Sequence, residues 1–200
     1  EYALALYNID VDCYDLEISR YHDVLDDAFW GKLVRKIKDG RYAAGVAAPP
    51  CSTFSAVRGK GNTYLVMPLR GEDESTIYGM PNLTAEQQMQ VKMGTACAFR
   101  ALEMAQLFHE AGKPFIIETP RHQPGHPNLF LLPEYKRFSE QFGITPSVLY
   151  IVRTTHRIRS QHGGYRTWNY DYKTSAYISI EGGPRPGVVK SIGLPTRPCW

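Results

Sequence analysis

Cys51 follows two consecutive prolines in Ala48-Pro49-Pro50-Cys51-Ser52-Thr53-Phe54-Ser55. Two prolines fix φ and remove two backbone donors, so the turn presenting this thiol is stiff and clear of ladder hydrogen bonding. Ser52, Thr53 and Ser55 surround it with hydroxyls. A cysteine in a rigid polar loop suits nucleophilic attack, because reactivity requires access and a stabilised thiolate, although a lone cysteine is more often a small buried hydrophobe. The second group of the right type is Glu118, which closes the apolar run Phe115-Ile116-Ile117. A thiol nucleophile and a carboxylic acid able to give up a proton are complementary. Arg157 and Arg159, with Arg153 and Arg166 on either side, offer guanidinium forks suited to carbonyl or phosphate oxygens. Their bland alternative is a solvated basic loop.

These residues need elements to hold them. Asp26-Asp27 precede a run in which Phe29, Leu33, Val34 and Ile37 recur at helical spacing, and Gly40 ends it, which predicts an amphipathic helix. Residues 42–48 form a short apolar run stopped by Pro49-Pro50, as in a buried parallel strand that opens abruptly into a loop. Thr84 is placed to cap a long helix reaching about His109, with Gly112 as its stop. Strands are expected at 115–117, 147–152 and 175–180, and a helix at 133–142. Val11-Asp12-Cys13-Tyr14-Asp15 is expected to be a short strand closing on an acid, preceded by the end of a helix. The alternation predicts an α/β domain with a mainly parallel sheet and flanking helices, its working residues at the carboxyl ends of the strands.

The stretch Pro49-Pro50-Cys51-Ser52-Thr53-Phe54-Ser55 resembles the Pro-Cys loop of cytosine-C5 DNA methyltransferases, in which Phe-Ser follows two residues after the cysteine. Phe115-Ile116-Ile117-Glu118-Thr119-Pro120 is similar to that family's Glu-Asn-Val or Glu-Asn-Pro strand end, with Thr119 at the asparagine position. Thr155-His156-Arg157-Ile158-Arg159 is similar to its Gln-x-Arg-x-Arg strand, with Thr155 at the glutamine position. The resemblance implies a Rossmann-like, S-adenosylmethionine-dependent methyltransferase fold acting on cytosine in DNA, with RNA the open alternative. It implies Cys51 as the nucleophile at C6, Glu118 as the acid at N3, and Arg157 and Arg159 beside the base. Asp15, Asp23 and Pro49 would meet S-adenosylmethionine, and Ser52, Ser55, Thr119, Arg153 and Arg166 would meet substrate. A duplex cytosine would have to leave the stack to reach them. The family's Phe-x-Gly-x-Gly loop has no counterpart before Asp15, so the chain is expected to be a piece of a longer protein or part of a larger assembly.

Length and composition bound these expectations. Two hundred residues with 43% hydrophobic content suit one domain spanning 1–200, with 59–82 as an insertion or lid loop. No run approaches the roughly 18 to 20 apolar residues of a membrane helix, so a soluble, intracellular chain without a membrane partner is expected. The four cysteines form no Cys-x-x-Cys pair, which argues against a zinc ribbon or a disulfide framework. His122 and His126, separated by Pro124 and Gly125, read as a polar loop rather than a metal pair. The formal charge is only +3, but four arginines and no acid lie between Arg153 and Arg166, and Tyr165, Trp168, Tyr170 and Tyr172 follow closely. Such a surface could meet phosphates and unpaired bases, or the aromatics could pack a strand. Two other functions stay open: a non-catalytic nucleic-acid-binding or assembly module derived from the same fold, and an enzyme acting on a free pyrimidine nucleotide.

Overall fold

A computed structural model describes residues 10–55 and 67–150, together with the backbone of three further strands within 156–179. Helix α1 (Asp27–Lys38) starts where Asp26 accepts a side-chain bond from the Phe29 amide at 2.7 Å. Asp27 in its first turn and Arg35, Lys36 and Lys38 in its last complement the helix dipole. Trp30 and Ile37 are its buried residues, and the Trp30 indole donates to Glu103 at 2.8 Å. Strand β1 (Gly45–Ala47) follows and is shorter than the apolar run that announces it.

Helix α2 (Ala85–Glu110) opens on a capping box in which Thr84 and Gln87 bond each other's backbone amides. Its buried residues Val91, Gly94, Ala98, Ala101, Ala105 and Phe108 recur every three or four positions and form one face. Phe108 lies against β1 at Gly45, where any Cβ would stand 2.4 Å from the ring. Glycine is therefore the residue that lets helix and strand meet there. Strand β2 (Phe115–Pro120) comes next, then helix α3 (Pro133–Phe142), with proline at its start and Gly143 in the left-handed region at its end. Strands β3 (Pro146–Tyr150), β4 (His156–Arg159), β5 (Tyr165–Trp168) and β6 (Lys173–Ser179) complete the described elements.

The α/β class holds, but the mainly parallel sheet does not form, because β6 inserts antiparallel between β2 and β3. One sheet has the order β1-β2-β6-β3, and β4 pairs with β5 in a separate antiparallel ribbon. β1 and β2 are parallel, whereas β6 runs antiparallel to both β2 and β3. Three strands thus point one way, yet only one of the sheet's hydrogen-bonded pairs is parallel. The core lies where α2, α3 and β2 meet, around Ala98, Phe108, Phe115, Ile117, Tyr135 and Phe138. The Tyr135 hydroxyl donates to the Ala98 carbonyl at 2.7 Å. No helix among the described residues is long and apolar enough to cross a membrane.

One expected strand does not form. Val11–Asp15 is an exposed or half-exposed loop, because Asp15 closes a turn instead: its carboxylate accepts from the Glu17 amide and its carbonyl from those of Ile18 and Ser19. Residues 1–9, where the end of a helix was expected, lie outside the described residues, as do 56–66 of the expected insertion.

Candidate functional site

β1 ends at Ala47, and Pro49-Pro50 carry the chain to Cys51. There it folds into a turn closed by the Phe54 amide donating to the Cys51 carbonyl at 2.9 Å. Alternate residues of this turn face different surroundings. Cys51 is 7% exposed, Thr53 and Phe54 are buried, Ser52 is exposed, and Pro49 and Ser55 are half-buried. Phe54 belongs to the main core, so the turn is anchored from within.

Glu118 lies in the adjacent strand. The parallel register sets Ala47 opposite Ile117, which puts Glu118 one position beyond the last paired residue of β1. Neighbouring strands run about 4.8 Å apart, so Glu118, still inside β2, lies beside the point where the chain leaves β1 towards the Cys51 turn. Burial alternates along β2: Phe115, Ile117 and Thr119 are buried, whereas Ile116 and Glu118 are half-buried. Thr119 therefore sits on the core face and Glu118 on the opposite, more open one. On its other side Glu118 is in register with Ala176 of β6. Cys13, Cys51 and Cys97 are in no disulfide with one another.

No family model, curated protein or solved structure matches the chain.

The remaining expected site residues are more scattered. Arg157 and Arg159 occupy one face of β4, whereas Arg166 is in register with Ile158 and so belongs to the other face of the ribbon. Arg153, Tyr170 and Tyr172 lie outside the described residues. Asp15 is exposed in its turn, and Asp23, half-buried, accepts from the Leu25 amide at 2.9 Å. Asp23 stands close enough to Cys97 on α2 that its charge adds to burial in pushing that thiol's pKa up. Local turn bonds account for both carboxylates. A hollow of about 290 Å³ lined by Leu25, Ala96, Phe99, Arg100 and Glu103 includes neither of them, nor Cys51 or Glu118.

Arg70 carries no signal of its burial in the sequence. It stands in a stretch rich in Gly, Pro and charge, where an arginine reads as solvated, yet it is wholly buried. Its Nε donates to Thr53 Oγ1 at 3.1 Å, Nη1 to the Ile77 carbonyl at 2.8 Å, and Nη2 to the Val91 carbonyl at 2.7 Å and Thr95 Oγ1 at 2.8 Å. Its guanidinium carbon lies 3.9 Å from the centre of the Phe54 ring. Among the described residues no carboxylate pairs with it, and burial lowers its pKa to about 10. Gly94 makes the approach possible, since a Cβ there would stand 2.8 Å from Thr53 Oγ1. Two residues on, Glu72 accepts from the Gly125 amide at 2.7 Å and stands 3.0 Å from His122 Nε2. The described part of the expected lid, residues 67–82, is therefore fastened to the core by Leu69, Arg70 and Ile77.

A second polar group fastens the segment before α1. Asp12 accepts from Tyr42 at 2.8 Å and Tyr14 at 3.0 Å, and Lys36 donates to the Tyr14 hydroxyl at 2.9 Å. The Tyr42 and Tyr14 bonds hold the Asp12 carboxyl below its ordinary value of 3.8. A depressed carboxyl stabilises the fold above its unfolded pKa, and that contribution is lost as pH falls through the folded one. Asp12→Asn is thus expected to be slightly less stable than wild type at neutral pH, where that contribution is fully present, and to lose correspondingly less on acidification below about pH 4, the effect being small because the group is exposed. Urea midpoints of both proteins across that range check this.

Proposed function

We propose that this chain is the catalytic part of a DNA cytosine-C5 methyltransferase, with Cys51 as nucleophile and Glu118 as acid. The observation that carries the reading is the parallel pairing of β1 and β2, which sets Glu118, inside β2, beside the end of β1 that leads into the Cys51 turn. Open sheets of this kind place ligands outside the carboxyl ends of their strands.

The pair suits one difficulty of the reaction. Cytosine C5 is a weak nucleophile. Addition of the Cys51 thiolate to C6 pushes electrons into the ring, and protonation of N3 by Glu118 absorbs them, leaving C5 enamine-like and able to attack an electrophile. Loss of the C5 proton, expulsion of the Cys51 thiolate and return of the N3 proton to Glu118 then restore the aromatic ring. S-adenosylmethionine, implied by the resemblance in the Cys51 loop, would supply the methyl group when bound. Arg157 and Arg159, on one face of β4, suit the base carbonyl or flanking phosphates.

The turn-bound Asp15 and Asp23 favour a second reading, a nucleic-acid-binding module that keeps the fold without the cofactor. Transfer of labelled methyl from S-adenosylmethionine to cytosine-containing DNA separates the two. Incorporation into DNA supports the enzyme. Absence of incorporation, no heat of cofactor binding and no exchange at cytosine C5 together favour the second reading.

A further inference from the structure

We infer that Arg70 is a positioning residue, the centre of a strut formed by Leu69–Ile77 that fixes the Cys51 turn against α2 and ties it to the loop after Glu118. Its functional consequence rests on the reading of Cys51 and Glu118 given above.

The argument starts from the cost of the arrangement. A guanidinium removed from water without a carboxylate is unfavourable, and a methionine would occupy similar space without that penalty. What the methionine would lack is a planar fork able to bond several segments at once. Arg70 uses that fork on three: Thr53 in the Cys51 turn, Ile77 at the far end of its own segment, and Val91 and Thr95 on α2. Its stacking on Phe54 adds a second hold on the same turn.

The same segment also reaches the other reacting group's neighbourhood. Glu72, two residues beyond Arg70, receives the Gly125 amide and faces His122, and both belong to the loop that leaves β2 after Glu118. One short stretch therefore touches the loops on both sides of the candidate pair. Gly94 shows that α2 is shaped for this contact, because even a methyl group there would displace Thr53.

The test reads the turn directly, whatever the reaction proves to be. The rate at which iodoacetamide alkylates Cys51 is measured by peptide mass spectrometry, with Cys97 on α2 as internal reference and circular dichroism as the check on folding. In Arg70→Met the Cys51 rate is expected to rise about tenfold relative to Cys97, as lost charged hydrogen bonds let the turn open locally. Arg70→Lys is expected to behave like Arg70→Met, since it keeps the charge but not the fork. Thr53→Val removes one acceptor and leaves the other Arg70 bonds, so a several-fold rise is expected from it. Should both Arg70 variants unfold, Thr53→Val decides.

Equal changes at Cys51 and Cys97, no change at Cys51, or wild-type behaviour in Arg70→Lys would each overturn the strut. Release of label from cytosine C5 by the unmodified chain is read separately. Label release with an unmoved Cys51 rate removes the strut and leaves the reaction standing. The converse removes the reaction and leaves the strut.

Discussion

DNA carrying tritium at cytosine C5 is expected to lose label to water when incubated with this chain, even without a methyl donor, and Cys51→Ala is expected to return the loss to background. The steps balance without a cofactor. The Cys51 thiolate bonds to C6 while Glu118 gives a proton to N3; C5 then takes a proton from water. Departure of the tritium from C5, expulsion of the thiolate and return of the N3 proton to Glu118 regenerate cytosine with exchanged hydrogen. Removing the nucleophile leaves no route to the C5 carbanion equivalent, so a fall of roughly three orders of magnitude or more is expected for Cys51→Ala. Glu118→Gln keeps the shape but cannot give up a proton in the same way, and a fall of about 10²- to 10⁴-fold is expected. Exchange that survives Cys51→Ala would remove Cys51 from the mechanism. Exchange without methyl transfer would locate the deficiency in cofactor binding, where Asp15 and Asp23 are engaged in local turns.

The largest stability effect is expected from Phe115→Ala. Phe115 begins β2, is 1% exposed, and meets the Phe138 ring of α3 edge-on at a centroid distance of 5.9 Å. β2 pairs with β1 on one side and β6 on the other, so its packing supports the centre of the sheet. Loss of the ring leaves a cavity between strand and helix, and a cost of about 3 to 5 kcal/mol is expected. Against a total of about 5 to 15 kcal/mol for a typical domain, this would place the variant near the threshold of folding. Val46→Ala, on the adjacent strand but 54% exposed, is expected to cost no more than about 0.5 kcal/mol. Urea titrations of the two variants check the contrast, and similar midpoints for both would contradict the placement of the core.

The helices were legible in sequence because their boundaries depend on neighbours a few residues away. Asp26, Thr84 and Pro133 begin them as capping chemistry and backbone geometry require, and residues 133–142 form a helix with the bounds the pattern predicts. The site was legible to the extent that it is local, in the Pro49-Pro50-Cys51 turn and in Glu118 after an apolar run. Val11–Asp15 misled because alternation alone does not decide whether a segment pairs, and here Asp15 and the hydroxyls of Tyr14 and Tyr42 supply competing bonds. The antiparallel position of β6 was illegible for the opposite reason, since it depends on partners far along the chain. Arg70 combines both difficulties. Its polar neighbours suggest solvent, and the groups that bury it include Thr53, Val91 and Thr95, none of them nearby in sequence.

The insertion of β6 between β2 and β3 bears on how the molecule is made. A ribosome releases β2 and β3 well before the strand that joins them, so in the nascent chain both wait with unsatisfied backbone edges. During that interval the half-built sheet offers a template to any extended segment nearby, including one from another copy emerging on the same message. Vectorial synthesis therefore gives this topology a late, zipper-like closing step, and β6 acts as the chain's own protection against mispairing once it has emerged.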